Sequence, residues 1–274
     1  MIRYIRLLFT FIKLCITNTG ELSKALFNVT RELVAKNKVI QTYQLPQGLK
    51  TIDLLELFPD FEEKISSYSF LEGTSLISDI ALLKKLALRY DNCRYIEFGS
   101  WRGESIANIS QVTNNTTSLS FSNAEMKAIG LPAEVINTSR VFLKNAKNIN
   151  FIEHNTQTYD FTKLEKQFDL IFVDADHEYE GVKIDTQNAF KLLKNENSII
   201  VWHDYGKSTE NINWPVFAGI MDGAPSDEHR KNIYRVSNTL CAIYINGNFN
   251  ATYPTKYFPN KTFEVTVKAA RFSA

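Results

Sequence analysis

Several scarcities bound this sequence before any motif is read. Its 274 residues include three cysteines, Cys15, Cys93 and Cys241, far apart and without a CxxC pair. That spacing excludes a disulfide framework or a zinc ribbon and suits a reducing, cytoplasmic setting. Neither sign of charge prevails, the formal net charge being +1, and no run of five or six basic residues occurs. Nothing therefore draws the chain to nucleic acid. Long apolar runs are also missing. Arg3, Arg6 and Lys13 interrupt residues 1–17 well short of the ~20 residues needed to cross a bilayer.

What is present is enough for a full core. With 44% hydrophobic and 22% charged residues, the chain can bury one large domain carrying an extension. The expected division is an N-terminal helical extension and lid over 1–74 and a larger domain over 75–274. Residues 168–205 organise the latter. Leu170-Ile171-Phe172-Val173 is an apolar, partly β-branched run that stops in Asp174-Ala175-Asp176-His177, and Ile199-Ile200-Val201-Trp202 stops in His203-Asp204. Between them Val182, Ala189, Phe190, Leu192 and Leu193 recur at helical spacing. This reads as strand, helix, strand of parallel type, in which ligands sit beyond the carboxyl ends of the strands. Both acidic clusters fall there.

Along the rest of the chain, Arg3, Arg6, Thr10, Lys13 and Thr17 are spaced three and four apart. On a helix they make one narrow polar stripe on an otherwise apolar cylinder. Such a helix wants a partner: its own domain, a dimer mate, or the interface of a membrane. Residues 20–45 are a second amphipathic helix, 59–73 a loop or lid, and Ser78-Asp79 is expected to cap a helix running to Arg89. Arg94 to Phe98 is the first strand of the sheet, followed by the glycine-bearing turn Gly99-Ser100-Trp101-Arg102-Gly103 and a helix start. Gly99 and Gly103 fit neither GxGxxG nor a phosphate-binding P-loop. Further strands are expected at 117–122, 150–155, 240–245 and 262–269. Asp169, at the entrance of its strand, and the isolated His154 and His229 read as structural.

The stretch Glu97-Phe98-Gly99-Ser100-Trp101-Arg102-Gly103-Glu104-Ser105 resembles the first cofactor-binding motif of class I S-adenosylmethionine-dependent methyltransferases. Phe168 to His177 is similar to the fourth strand of the catechol and caffeoyl-coenzyme A O-methyltransferase group, and Trp202-His203-Asp204-Tyr205 stands where that group carries an acidic pair. The resemblance spans roughly residues 75–245. It implies an α/β, doubly wound, mostly parallel seven-stranded sheet of Rossmann-like methyltransferase type. It also implies S-adenosylmethionine as cofactor, held by Glu97, Gly99, Ser100, Trp101, Gly103, Ser120, Asn155 and Asp174. Asp174, His177 and His203 become the candidate catalytic residues. Asp174, His203 and Asp204 become candidate ligands of a divalent metal such as magnesium, manganese or zinc.

Two positions depart from that family. A carboxylate that would accept both ribose hydroxyls is replaced by Ser120 or Ser122, with Glu125 nearby as a substitute, and the acid expected at the adenine amino group is Asn155. The expected activity is methyl transfer to a hydroxyl oxygen of a small molecule or carbohydrate. A sugar hydroxyl, a phenol and a lipid-linked glycan are all open as acceptor. Two other classes compete: a methyltransferase fold kept only as a binding module, and a metal-dependent hydrolase using His203-Asp204. Against the hydrolase stand the mere four histidines of the chain.

Overall fold

A computed structural model describes residues 2–144, 146–164, 166–255 and 257–272. The chain opens with helices α1 (Ile2–Thr17) and α2 (Thr19–Tyr43), strand β1 (Thr51–Ile52), and helices α3 (Leu54–Leu57) and α4 (Ile77–Ala87). Then come β2 (Arg94–Phe98), α5 (Glu104–Ile109), β3 (Asn115–Ser120), α6 (Asn123–Ala128), α7 (Ala133–Asn137) and β4 (Ile149–Glu153). The rest comprises β5 (Leu170–Val173), α8 (Tyr179–Leu192), β6 (Ile199–Trp202), α9 (Trp214–Gly223), α10 (Asp227–Lys231), β7 (Ile233–Val236) and β8 (Ala242–Tyr244).

The strands form one sheet in the order β1-β7-β8-β6-β5-β2-β3-β4. From β6 through β4 every pairing is parallel, whereas β8 runs antiparallel to both β6 and β7. β5 reads as an unbroken apolar run because both of its faces are covered. Ile171 and Val173 join the core under α8, α9 and the end of α2. Leu170 and Phe172 join the core under α4 and α5. The chain winds outward from β2 through β3 to β4, then returns to lay β5 and β6 on the other side of β2. The switch point, where open α/β sheets bind ligands, therefore lies between the ends of β2 and β5.

The structure corrects several expectations. Among the described residues there are eight strands rather than seven, because Thr51–Ile52 pairs with β7. Residues 262–269 are not a strand; they run exposed and unpaired. Their apolar alternation suits a strand, but alternation supplies no neighbour, and the outer side of β7 is already taken by β1. The antiparallel partner of β8 is Ile233–Val236 instead. Arg235 in that segment is buried, its guanidinium donating to the Ser208 and Thr209 carbonyls. Strand β3 ends at Ser120 rather than Ser122, which caps α6, and β4 ends at Glu153. Asp79 does cap its helix, but from within the first turn, where its carboxylate accepts from the Leu76 amide at 2.8 Å.

Helix α2 packs on α9 through its second half. Ala35 and Val39 are buried, Lys38 reaches the Tyr179 hydroxyl at 2.6 Å, and Lys38, Tyr43 and Tyr179 all converge on Asp222 of α9. No described helix is long and apolar enough to cross a membrane.

Candidate active site

Backbone pairing fixes the site. The Asp174 amide donates to the Phe98 carbonyl at 2.8 Å and the His203 amide to the Val173 carbonyl at 3.0 Å. The glycine turn after β2, the acid after β5 and the His-Asp pair after β6 are thereby set side by side. Asp204 has φ +53°, a left-handed conformation uncommon outside glycine. It costs on the order of 1–3 kcal/mol where it is held in place, and such residues concentrate at functional sites. Here it brings the Asp204 carboxylate to 2.6 Å from His177 Nε2.

His177 Nε2 also lies 3.6 Å from Asp174 Oδ1. His203 Nδ1 is 3.2 Å from Oδ1 of both Asp174 and Asp204, although it is aligned with neither for a hydrogen bond. Its other nitrogen, Nε2, is 3.1 Å from Asp79 Oδ2. Asp79 is fully buried, and its Oδ1 accepts from the Leu240 amide at 2.9 Å. The histidine ring is thus fixed from behind by a residue of α4. The sequence expectation missed Asp79; an acid among the apolar positions of α4 was the available signal.

The ligand set expected was Asp174, His203 and Asp204; among the described residues, Asp174, His177 and Asp204 bring their ligand atoms within 4.8 Å of one another, with His203 beside the same two carboxylates. Electrostatics bind the cluster together. The Asp174 and Asp204 carboxylates raise His177 to about 10 against the effect of burial. Burial would lower His203, but the charge of Asp174 and the close carboxylates of Asp204 and Asp79 push it well above its ordinary value. Burial would raise both Asp174 and Asp204, yet the two imidazoliums hold each below the usual carboxylate range. Asp176 serves a local turn, accepting from the Glu178 amide at 2.7 Å and from Gln157 at 2.7 Å.

On the cofactor side the expected residues gather around the turn after β2. Gly99 has φ +85°, and a Cβ there would come within 2.6 Å of the Ala175 Cα. Glu97 is fully buried, accepting from the Tyr95 hydroxyl at 2.8 Å and from Ser100, which in turn accepts from Ser118 at 3.0 Å. Gly103 opens α5 with φ +87°. Trp101 lies over Gly73 of the 59–73 loop and donates to Thr138 at 3.1 Å, with the Arg102 guanidinium 4.2 Å from its ring centre. Arg102 and Glu104, both buried, bind that loop through the Glu72 carbonyl, Thr74 and Ser69.

The adenosine side is differently furnished. At the end of β3, the Ser120 hydroxyl accepts from Arg140 at 3.1 Å, and Arg140 also pairs with Glu153. Glu125, the expected substitute, forms a capping box with Ser122 and accepts from the Asn155 amide. The Asn155 carbonyl oxygen accepts from the Gln157 amide at 2.9 Å. A polar cleft of about 430 Å³ lined by Arg94, Thr116, Asn148 and Gln167 opens at the opposite, amino ends of β2–β4, away from these residues. Asp169 and His229 are structural, as expected: Asp169 accepts from the Arg94 amide and pairs with Lys194, and His229 packs on Phe190 and Tyr244.

Glu97 gives a testable pH dependence. Burial raises its carboxyl to about 7, outweighing the hydrogen bonds from Ser100, Ser105 and Tyr95. An acid whose pKa rises on folding favours the folded state while protonated, so its stabilising effect is complete below about 4.5, the unfolded value, and is lost as pH rises through 7. Glu97→Gln should therefore unfold at a higher temperature than the parent at pH 8 and lose that advantage near pH 5. The difference is on the order of 3 kcal/mol at most. Melting curves of both proteins at the two pH values check it, and parallel curves would refute it.

Residues 96–205, which contain the turn and both acidic strand ends, match a family model described as a methyltransferase domain. No curated protein matches the sequence. Among solved structures, an S-adenosylhomocysteine-bound methyltransferase of Podospora anserina is 18% identical over 64% of this chain and 80% of that one, with a TM-score of 0.46. A Staphylococcus aureus protein provisionally described as a caffeoyl-CoA O-methyltransferase is 16% identical over 78% and 100%, with a TM-score of 0.44. A Bacillus halodurans protein provisionally described as a methyltransferase is 12% identical over 46% of this chain, with a TM-score of 0.36, and the chain spans half of its length. The mostly parallel sheet with helices on both faces is a doubly wound, Rossmann-like α/β arrangement.

Proposed function

We propose that the chain is an S-adenosylmethionine-dependent methyltransferase that methylates a hydroxyl oxygen of a small molecule or sugar, with a divalent cation held by Asp174, His177 and Asp204. The observation that carries this reading is the convergence of those three side chains within 4.8 Å at the carboxyl ends of adjacent parallel strands, beside the Gly99 turn. Two carboxylates and an imidazole fit a cation, and the imidazole favours manganese, iron or zinc over magnesium. When bound, the cofactor supplies the methyl group and the cation lowers the acceptor hydroxyl's pKa.

The protein's own contribution is placement and proton handling. Gly99 and Ser100 bring backbone and hydroxyl to the cofactor turn, and Ser120 offers a hydroxyl to the ribose in place of a carboxylate. His203, with Nε2 held by Asp79, presents Nδ1 to the space between the carboxylates. It is placed to take up the proton that the acceptor hydroxyl loses, once neutralisation of those carboxylates returns it to the neutral form. Asp174 and Asp204 orient the acceptor oxygen, and alignment of acceptor, methyl carbon and sulfur does most of the rest.

Calorimetry with S-adenosylhomocysteine and NAD, followed by transfer assays across hydroxylated acceptors, tests this. S-adenosylhomocysteine should bind and NAD should not. Turnover should be lost in chelator and regained with manganese, magnesium or zinc. Undiminished turnover in chelator would remove the cation and leave a base-and-orientation mechanism on Asp174 and His203. A second reading, a fold retained as a binding module, draws on the commitment of Glu125 and Asn155 to local bonds. Failure of S-adenosylhomocysteine to bind would favour it.

A further inference from the structure

Helix α1 and the first half of α2 carry apolar side chains that the rest of the described chain leaves uncovered. On α1, Leu7, Phe11, Ile12, Leu14 and Ile16 are 38–77% exposed, and on α2 Leu26 and Leu33 are 53% and 54% exposed. A contiguous apolar face of this kind marks an interaction surface rather than the scattered exposure normal for a soluble surface. These described side chains of α1 are not packed on the rest of the described chain.

Three observations choose the occupant. First, α1 and its approach are basic without exception: Arg3, Arg6 and Lys13 precede the first acid, Glu21, whereas the whole chain nets only +1. A second copy would bring the same positive helix, and like charges repel; an anionic surface complements it. Secondly, on a helix of 3.6 residues per turn the five polar positions 3, 6, 10, 13 and 17 occupy an arc of about 80°, and the apolar positions spread over about 240°. One partner helix covers a stripe of roughly 100°. An apolar arc twice as wide suits immersion in a continuous apolar phase, with the arginine and lysine heads reaching back to the headgroups. Thirdly, α1 has 16 residues, about 24 Å of helix against a hydrocarbon thickness of about 30 Å, so it lies in the interface and does not span.

We infer that α1, continued by the exposed face of α2, docks the protein on an anionic phospholipid surface. The inference is independent of the chemistry assigned to the active site.

The test is co-sedimentation of the full chain with phosphatidylcholine vesicles, with and without phosphatidylserine, alongside light scattering. Binding to the anionic vesicles should be stronger by about tenfold or more and should weaken as salt rises. Arg6→Glu/Lys13→Glu should abolish the preference for phosphatidylserine, and Phe11→Ser should weaken binding to both vesicle types. Because these side chains are exposed, circular dichroism and thermal unfolding should match the parent, so a loss of binding is not a loss of fold. Equal binding to neutral and anionic vesicles, or none to either, would overturn the inference. So would a dimer in light scattering that Phe11→Ser dissolves while no vesicle binding occurs, which would assign the face to a second copy.

Discussion

Asp174→Asn is expected to weaken divalent-cation binding about 100-fold or more and to lower methyl transfer by a similar or larger factor. The loss of even an outer hydrogen-bond partner of a metal ligand typically costs 10–100-fold, and Asp174 is placed to be a ligand itself. Asparagine keeps the shape and a carbonyl oxygen but removes the charge that both imidazoles face. The substitution should also appear without any acceptor or metal: His177, raised to about 10 by the Asp174 and Asp204 carboxylates, should titrate nearer its ordinary 6.5. Proton resonance titration of the two histidines, with calorimetry against manganese, measures both effects. Asp204→Asn should act alike, since its carboxylate is the nearer to His177. If Asp174→Asn left both the histidine titration and the manganese affinity where they are, the cluster would not be the electrostatic unit that the distances describe.

Gly99→Val is expected to destabilise the fold by about 3 kcal/mol or more and to remove cofactor binding with it. Two costs add. The left-handed φ of +85° is disfavoured for a residue with a Cβ by roughly 1–2 kcal/mol. The new Cβ also meets the backbone of the loop after β5, at 2.6 Å from the Ala175 Cα and closer still to the Asp174 carbonyl oxygen. Overpacking against backbone adds roughly 1–3 kcal/mol. The bulk is aimed at the neighbouring strand end rather than at a ligand, so it pries β2 from β5 where the site depends on their register. Gly130 separates the two costs. Its φ is +79° but nothing lies within 4 Å of a Cβ there. Gly130→Ala should therefore cost only the roughly 1–2 kcal/mol of the backbone conformation. Denaturant unfolding of the three proteins checks the ranking; equal stability of Gly99→Val and Gly130→Ala would contradict the packing.

Composition and local pattern by themselves determined the class of this protein. β5 and β6 are apolar runs because parallel strands are covered on both faces, and each ends abruptly in the polar residues that must lie outside the core. That is local information, and Glu97, Gly99, Asp174, His203 and Asp204 could all be placed at strand ends from it. Which histidine faces which acid was not local. It depends on the left-handed backbone at Asp204 and on Asp79, 124 residues away from His203, whose carboxylate turns that ring. The same distinction separates Ile233–Val236 from residues 262–269. Alternating apolar residues express a preference for extended backbone, but a strand exists only where a neighbour supplies its ladder. β8 supplies one to the first segment, and β1 has closed the edge that would serve the second. The stripe on α1 was legible as a demand for a partner. Only the packed structure decided that the described domain does not meet it, because burial is a property of what surrounds a side chain and not of the side chain's sequence neighbours.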